Sequence, residues 1–256
     1  MNEQPQQSAV ADGNLVAAPQ AGTLWGLFCE RVRRCPAGIA YREYDPVTGN
    51  WRDHTWHTIA ARVDRFRAAL AQEKLEAGDR VAILLPNGID WVCLDMAAHA
   101  SGLVVVALYP HDNAASNAYI LGHSGARLVL LDSEARRQSL WPFRSEFPSL
   151  ERMWIRDAGA GSVTQNSELI VRKLADVLAN TSDPPSPHSA APSDLASLVY
   201  TSGTTGRPKA VMLSHFALLW NAEASAAIIP PRRDDVFLSV LPLAHALSAP
   251  SATTFP

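Results

Sequence analysis

The chain has 256 residues, 47% of them hydrophobic, with 22 Lys and Arg against 25 Asp and Glu, a net charge of −3 and a pI near 6.2. That is the composition of a globular protein with enough apolar side chains for a sizeable core. The weakly acidic balance, without any long basic run, excludes an electrostatic nucleic-acid surface.

Residues 1–21 are rich in Gln, Ala, Asn and Pro without periodicity and are expected to form a mobile tail. Thr23 caps a helix running to Arg34 and stopped before Pro36, with Arg31, Arg33 and Arg34 read as its solvated face. Ile39 to Tyr44 and Asn50 to Thr55 read as a hairpin across the turn-rich stretch Asp45 to Gly49. From Thr58 a helix sets Ile59, Val63, Phe66 and Leu70 on one face, leaving Arg62, Asp64, Arg65 and Arg67 wet.

Strands and helices then alternate. Arg80 to Leu85, Val104 to Leu108 and Leu128 to Leu131 read as short buried strands, separated by helices over Gly88 to Ala100 and Asn113 to His123. This order predicts an α/β fold with a mostly parallel sheet flanked by helices. A helix is expected over Glu168 to Leu178, then a Pro/Ser-rich linker over 181–193. Leu195 to Tyr200 and Ala210 to Leu213 read as strands, Ser214 as the cap of a helix from His215, and Asp235 to Leu241 as a last strand.

The start of the chain, MNEQPQQSAV, lacks the charged region and apolar core of a signal peptide. No apolar run approaches the roughly 20 residues that span a bilayer, although peripheral membrane contact stays open. Cys29, Cys35 and Cys93 lack metal-ligand spacing, and Cys93 reads as buried filler. Unpaired thiols fit a reducing, cytoplasmic setting.

Between two apolar runs lies Tyr200-Thr201-Ser202-Gly203-Thr204-Thr205-Gly206-Arg207-Pro208-Lys209. Gly203 and Gly206 allow a sharp turn, the hydroxyls of Thr201, Ser202, Thr204 and Thr205 offer donors, and Lys209 adds a positive charge. These are the requirements of a phosphate-binding loop. The spacing is not that of P-loop NTPases, because Gly206 is followed by Arg207 and Lys209 by Ala210. The dinucleotide fingerprint is also absent, and Ser202 lacks the Gly-x-Ser-x-Gly elbow of hydrolases.

The run from Leu198 to His215 resembles the signature of the adenylate-forming (AMP-binding) superfamily, with Ala210 where that family usually has glycine. WRDHTW at 51–56, GDRVAILLPN at 78–87, LVVVALYP at 103–110, YILGHSGARLVLLD at 119–132 and LPLAH at 241–245 are similar to the N-terminal part of long-chain fatty acyl-CoA synthetases. The resemblance spans about residues 22–247. It implies an incomplete N-terminal domain formed by 22–180 and 194–247, with 248–256 a tail unlike the family.

It further implies ATP, magnesium and coenzyme A: a fatty acid is joined to AMP, then transferred to the thiol. Thr201, Ser202, Gly203, Thr204, Thr205, Gly206 and Lys209 would bind the nucleotide phosphates, and His245 would line the junction of nucleotide and acyl sites. The magnesium-holding glutamate, the ribose-binding aspartate and the catalytic lysine of the family lie beyond the similar region, so no catalytic or metal residue is assigned. The chain is therefore expected to be truncated, its gene interrupted, and inactive alone. The alternatives are an ATP- or acyl-binding regulatory fragment and a non-functional remnant. The remaining histidines, His54, His57, His99, His111, His123 and His188, show no metal or triad spacing, and His215 reads as a helix-packing residue.

Overall fold

Among the described residues, five helices begin on a side chain that accepts a hydrogen bond from the first turn: Thr23 from Gly26 N–H, Thr55 from Thr58, Asn113 from Ser116, Ser133 from Arg136 and Ser214 from Ala217. Each cap satisfies a backbone donor that the helix cannot, typically worth about 1 kcal/mol. The computed structural model describes residues 15–158, 169–179, 183–201, 207–229, 231 and 235–245.

In chain order the elements are α1 (Ala18–Ala21), α2 (Leu24–Arg34), β1 (Ile39–Asp45), β2 (Asn50–Thr55), α3 (Trp56–Gln72), β3 (Arg80–Leu84), α4 (Ile89–Ala100) and β4 (Val104–Ala107). There follow α5 (Ala114–Ser124), β5 (Leu128–Ser133), α6 (Glu134–Leu140), a 3-10 turn (Trp141–Glu146), β6 (Arg152–Asp157), β7 (Ile170–Lys173), α7 (Leu174–Ala179), β8 (Leu195–Thr201), β9 (Lys209–Ser214) and α8 (His215–Ile228). β1 and β2 form the expected antiparallel hairpin.

The other strands make a 7-stranded sheet in the order β7-β6-β5-β3-β4-β8-β9. Every pair is parallel except β8–β9. Alternate residues of β3 go to opposite layers: Val81 and Ile83 join Phe66, Trp91 and Trp154, whereas Ala82 and Leu84 join Ile120, Phe147 and Ile155. The sheet is thus covered on both faces, as parallel sheets require. A third cluster, with Val16, Ala18, Leu24, Leu27, Ala196, Leu218 and Leu219, packs α1 and α2 against α8.

Several sequence expectations need correction. Val16, Ala18 and Ala21 belong to this packed cluster, so the tail cannot extend to residue 21; residues 1–14 lie outside the described residues. Arg31 and Arg67 are buried, not wet: the Arg31 guanidinium lies 5.6 Å over the Trp56 ring and that of Arg67 5.1 Å over Trp25. The helix expected from Glu168 is instead strand β7 followed by the shorter α7. There β-branched Ile170 and Val171 pair with Arg152 and Met153 of β6, a strand missed in the sequence, and the tertiary pairing overrides local helical periodicity. Residues 235–241, expected as a strand, are not one, and all of them are exposed.

The described part of the 181–193 stretch has no helix or strand, yet it is fastened to the fold. Arg67 Nη2 donates to Pro185 O, and His188 N–H donates to Ala100 O at 2.7 Å. Gly102, at φ +72°, lets the His188 ring approach: a Cβ there would lie 2.6 Å from that ring.

Candidate functional site

Thr201 ends β8, and its Cα partner across the antiparallel ladder is Lys209, the first residue of β9. Both are exposed. Directly opposed residues project to the same face, so the hydroxyl and the ammonium share one side of the sheet. Ser202, Gly203, Thr204, Thr205 and Gly206, the centre of the expected phosphate loop, lie outside the described residues.

The position matters as much as the residue types. From the carboxyl end of β4 the chain crosses back over β3 to β5, whereas from β8 it turns outward to β9. β4 and β8 are neighbours, so their outgoing connections diverge. In open α/β sheets ligands bind in the crevice at such a switch point, outside the carboxyl ends of the strands.

Behind Thr201 the strand is firmly held. Ser197 Oγ donates to Val105 O on β4 at 3.1 Å. Tyr200 is buried toward the opposite layer, with its hydroxyl 2.8 Å from His123 Nδ1 on α5. Burial pushes the Tyr200 phenol up to about 12, so it stays neutral at physiological pH. Tyr119 packs on His123, and the Arg207 guanidinium lies 5.6 Å over the Tyr119 ring.

His245 lies at a separate cleft on α4, lined also by Trp91, Asp95, His99, Ser197 and Val199. The cleft volume is about 20 Å³, sufficient for about one water-sized group. Since Ser197 and Val199 line this cleft, the period-two alternation of β8 puts Thr201 on the same face. Thr201, Lys209 and His245 thus address one side of the sheet.

Asn87, in the turn after β3, organises the His245 segment: its Oδ1 accepts from Leu243 N–H, and its Nδ2 donates to Leu241 O, both at 2.8 Å. Sequence reasoning quoted Asn87 within a motif but gave it no role. It also read His99 as showing no metal or triad spacing. On α4, Asp95 and His99 are one turn apart and buried, with His99 Nε2 3.2 Å from Asp95 Oδ1. The i,i+4 spacing was visible, whereas its depth was not.

His215 is buried, its Nδ1 accepting from Leu24 N–H at 3.4 Å and its ring edge-on to His99 at 5.2 Å. Desolvation, and then the neighbouring His99, lower it to about 4. It is a neutral packing residue, as its place at the start of α8 suggested. Among the described residues no three His, Cys, Asp or Glu side chains gather as metal ligands, so the residues present make no protein cage for magnesium.

This architecture is that of the N-terminal domains of adenylate-forming enzymes. The N-terminal domain of FACL13 from Mycobacterium tuberculosis superposes with a TM-score of 0.74 at 26% identity, covering 91% of this chain and 55% of that one. An acyl-CoA synthetase from Brucella canis gives 0.77 at 24% identity, covering 97% and 45%. The AMP-binding enzyme family matches residues 28–255, and the chain belongs to that family. Fatty acyl-CoA synthetase A of Dictyostelium discoideum is 31% identical over 214 residues, and a long-chain-fatty-acid–CoA ligase, FadD15, of Mycobacterium bovis 29% over 231. The matches cover 81% and 86% of this chain but only 32% and 36% of those relatives, so it spans about a third of their length.

Proposed function

We propose that these residues form the triphosphate-binding front of an ATP-dependent acyl-CoA synthetase. The observation that carries this reading is the Thr201–Lys209 pair at the carboxyl end of β8, at the switch point beside the His245 cleft. Ser202 to Gly206 would complete the cradle around the β- and γ-phosphates, with Lys209 countering their charge. Charge stabilisation of this kind is the main protein contribution to transfer at phosphorus. A fatty or related carboxylic acid would approach from the His245 side and attack the α-phosphate, and coenzyme A would take the acyl group in the whole-length protein, with magnesium bound to the nucleotide.

A second reading, an ATP- or acyl-binding span that does not turn over by itself, is favoured by coverage of about a third of the relatives. The reading places the chain in the cytoplasm, in keeping with free Cys29, Cys35 and Cys93. Among the described residues no helix is long and apolar enough to cross a membrane.

Titration calorimetry of ATP against the chain and its Lys209→Ala variant tests the shared claim. Loss of a charge-assisted contact should weaken binding by about 1.5–3 kcal/mol. An unchanged titration would remove Lys209 from the site.

A further inference from the structure

One helix, α5, meets both flanks of residues 202–206. On the upstream flank, Tyr200 is buried and its hydroxyl lies 2.8 Å from His123 Nδ1. On the downstream flank, the Arg207 guanidinium lies 5.6 Å over the Tyr119 ring. Tyr119 and His123 are one turn apart on α5, and their rings pack with centroids 5.4 Å apart and planes 32° from parallel. The His123 ring stands edge-on to that of Tyr200 at 5.7 Å. Arg207, Tyr119, His123 and Tyr200 thus form one unbroken row of side chains, which leaves the β8–β9 pair at one flank and returns to it at the other.

The row rests on a firm support. Ala118, Ile120 and Leu121 of α5 are at most 1% exposed. At Gly122 the helix presses so closely on the 3-10 turn that a Cβ would lie 2.0 Å from Glu146 O. Arg207, by contrast, is exposed and belongs to neither helix nor strand. Its charge is attracted to the electron-rich face of the Tyr119 ring.

The two cations of the stretch therefore have different surroundings. Leu198 and Tyr200 of β8 belong to the layer that α5 covers, with Tyr119 and Ala210 packed against it. Thr201 and Lys209 address the opposite face of the sheet, whereas the Arg207 charge is turned toward α5. Thr201 follows Tyr200 directly, and Lys209 is two residues after Arg207. Holding the outer pair restrains the inner pair before phosphate arrives, and a restrained site loses less freedom on binding.

We propose that Tyr119 and His123 are positioning residues for the triphosphate: they hold Arg207 and Tyr200 against α5 and so fix the Thr201–Lys209 pair. This rests on the reading of that pair as phosphate-binding. Arg207 is an anchor in this arrangement, not a ligand of the phosphates.

Calorimetric titration of ATP and AMP with the full chain and its variants tests this. A cation–π contact at an exposed site corresponds to about two- to fivefold in an equilibrium constant, so Tyr119→Leu should lower the ATP-over-AMP preference about threefold. Tyr119→Phe keeps the ring face and should restore the preference. Arg207→Gln, a change at an exposed position, should cost as much as Tyr119→Leu, and the double variant no more than either, because both remove one contact. Damage to the fold alone would weaken both nucleotides and leave their ratio unchanged. A ratio unaltered in both Tyr119→Leu and Arg207→Gln overturns the proposal. So does a loss in Arg207→Gln with unchanged or tighter ATP binding in Tyr119→Leu, which would make Arg207 itself a phosphate ligand. If Lys209→Ala weakens ATP while Tyr119→Leu does not, the inference alone fails. If the unsubstituted chain does not prefer ATP to AMP, the triphosphate reading fails with it.

Discussion

The Tyr200 hydroxyl lies 2.8 Å from His123 Nδ1, tying the last buried residue of β8 to α5 one position before the exposed Thr201. The bond anchors the end of β8 to α5. Tyr200→Phe and His123→Ala should each lower stability by about 1 kcal/mol. Because they remove the same bond, the double variant should cost clearly less than the sum. Urea unfolding of the four proteins gives the cycle; strict additivity would show that the contact contributes nothing.

Burial of His215 makes stability depend on pH. Its pKa falls from 6.5 to about 4 in the folded chain, so below 6.5 the unfolded chain binds more protons. Stability from this group is full above pH 6.5, declines as pH falls toward 4, and levels off below that. The slope for one group is at most about 1.4 kcal/mol per pH unit. Thermal unfolding of the chain and of His215→Phe across this window checks it: the substituted protein should lose less stability with acid, and parallel curves would contradict the assignment.

Glu73 is 2% exposed and receives Trp154 Nε1 at 3.1 Å and Arg172 Nη1 at 3.2 Å, with Arg152 Nε 2.8 Å from its other oxygen. It thereby links the end of α3 to β6 and β7. Removing one member of a buried charge cluster strands the others, so Glu73→Ala should destabilise by about 3 kcal/mol. A change below about 1 kcal/mol in chemical denaturation would mean that the arginines find equivalent partners.

The sheet's β9 side is apolar and open. Val211 and Met212 on β9, Phe216 and Trp220 on α8, and Val236, Leu238 and Val240 beyond it are all exposed. Exposed edges and large apolar patches promote association. The isolated chain should self-associate or bind a hydrophobic dye during size-exclusion and thermal unfolding experiments. A dye-negative monomer with one cooperative transition would show these residues to be a self-sufficient domain.

Much of this was legible because the signals were local. Ser214 capped its helix, and Val104 to Val106 formed the buried strand. What escaped was non-local. Arg31 and Arg67 looked solvated until Trp56 and Trp25 covered them, and Ile170 to Lys173 became a strand through pairing with β6. The apolar run at 235–241 carried a strand's composition yet is exposed and not a strand. In the site, the pairing of Thr201 with Lys209 came from the antiparallel β8–β9 ladder, and the Asp95–His99 pair became meaningful only once α4 was placed beside β8 and His245.

The central claim is that this site recognises a triphosphate. The most direct measurement is a side-by-side calorimetric titration of ATP and AMP with the full chain. If Thr201 and Lys209 contact the β- and γ-phosphates that AMP lacks, as proposed, ATP binds tighter by about 1.5–3 kcal/mol, roughly tenfold or more. Equal affinity for the two nucleotides would contradict it.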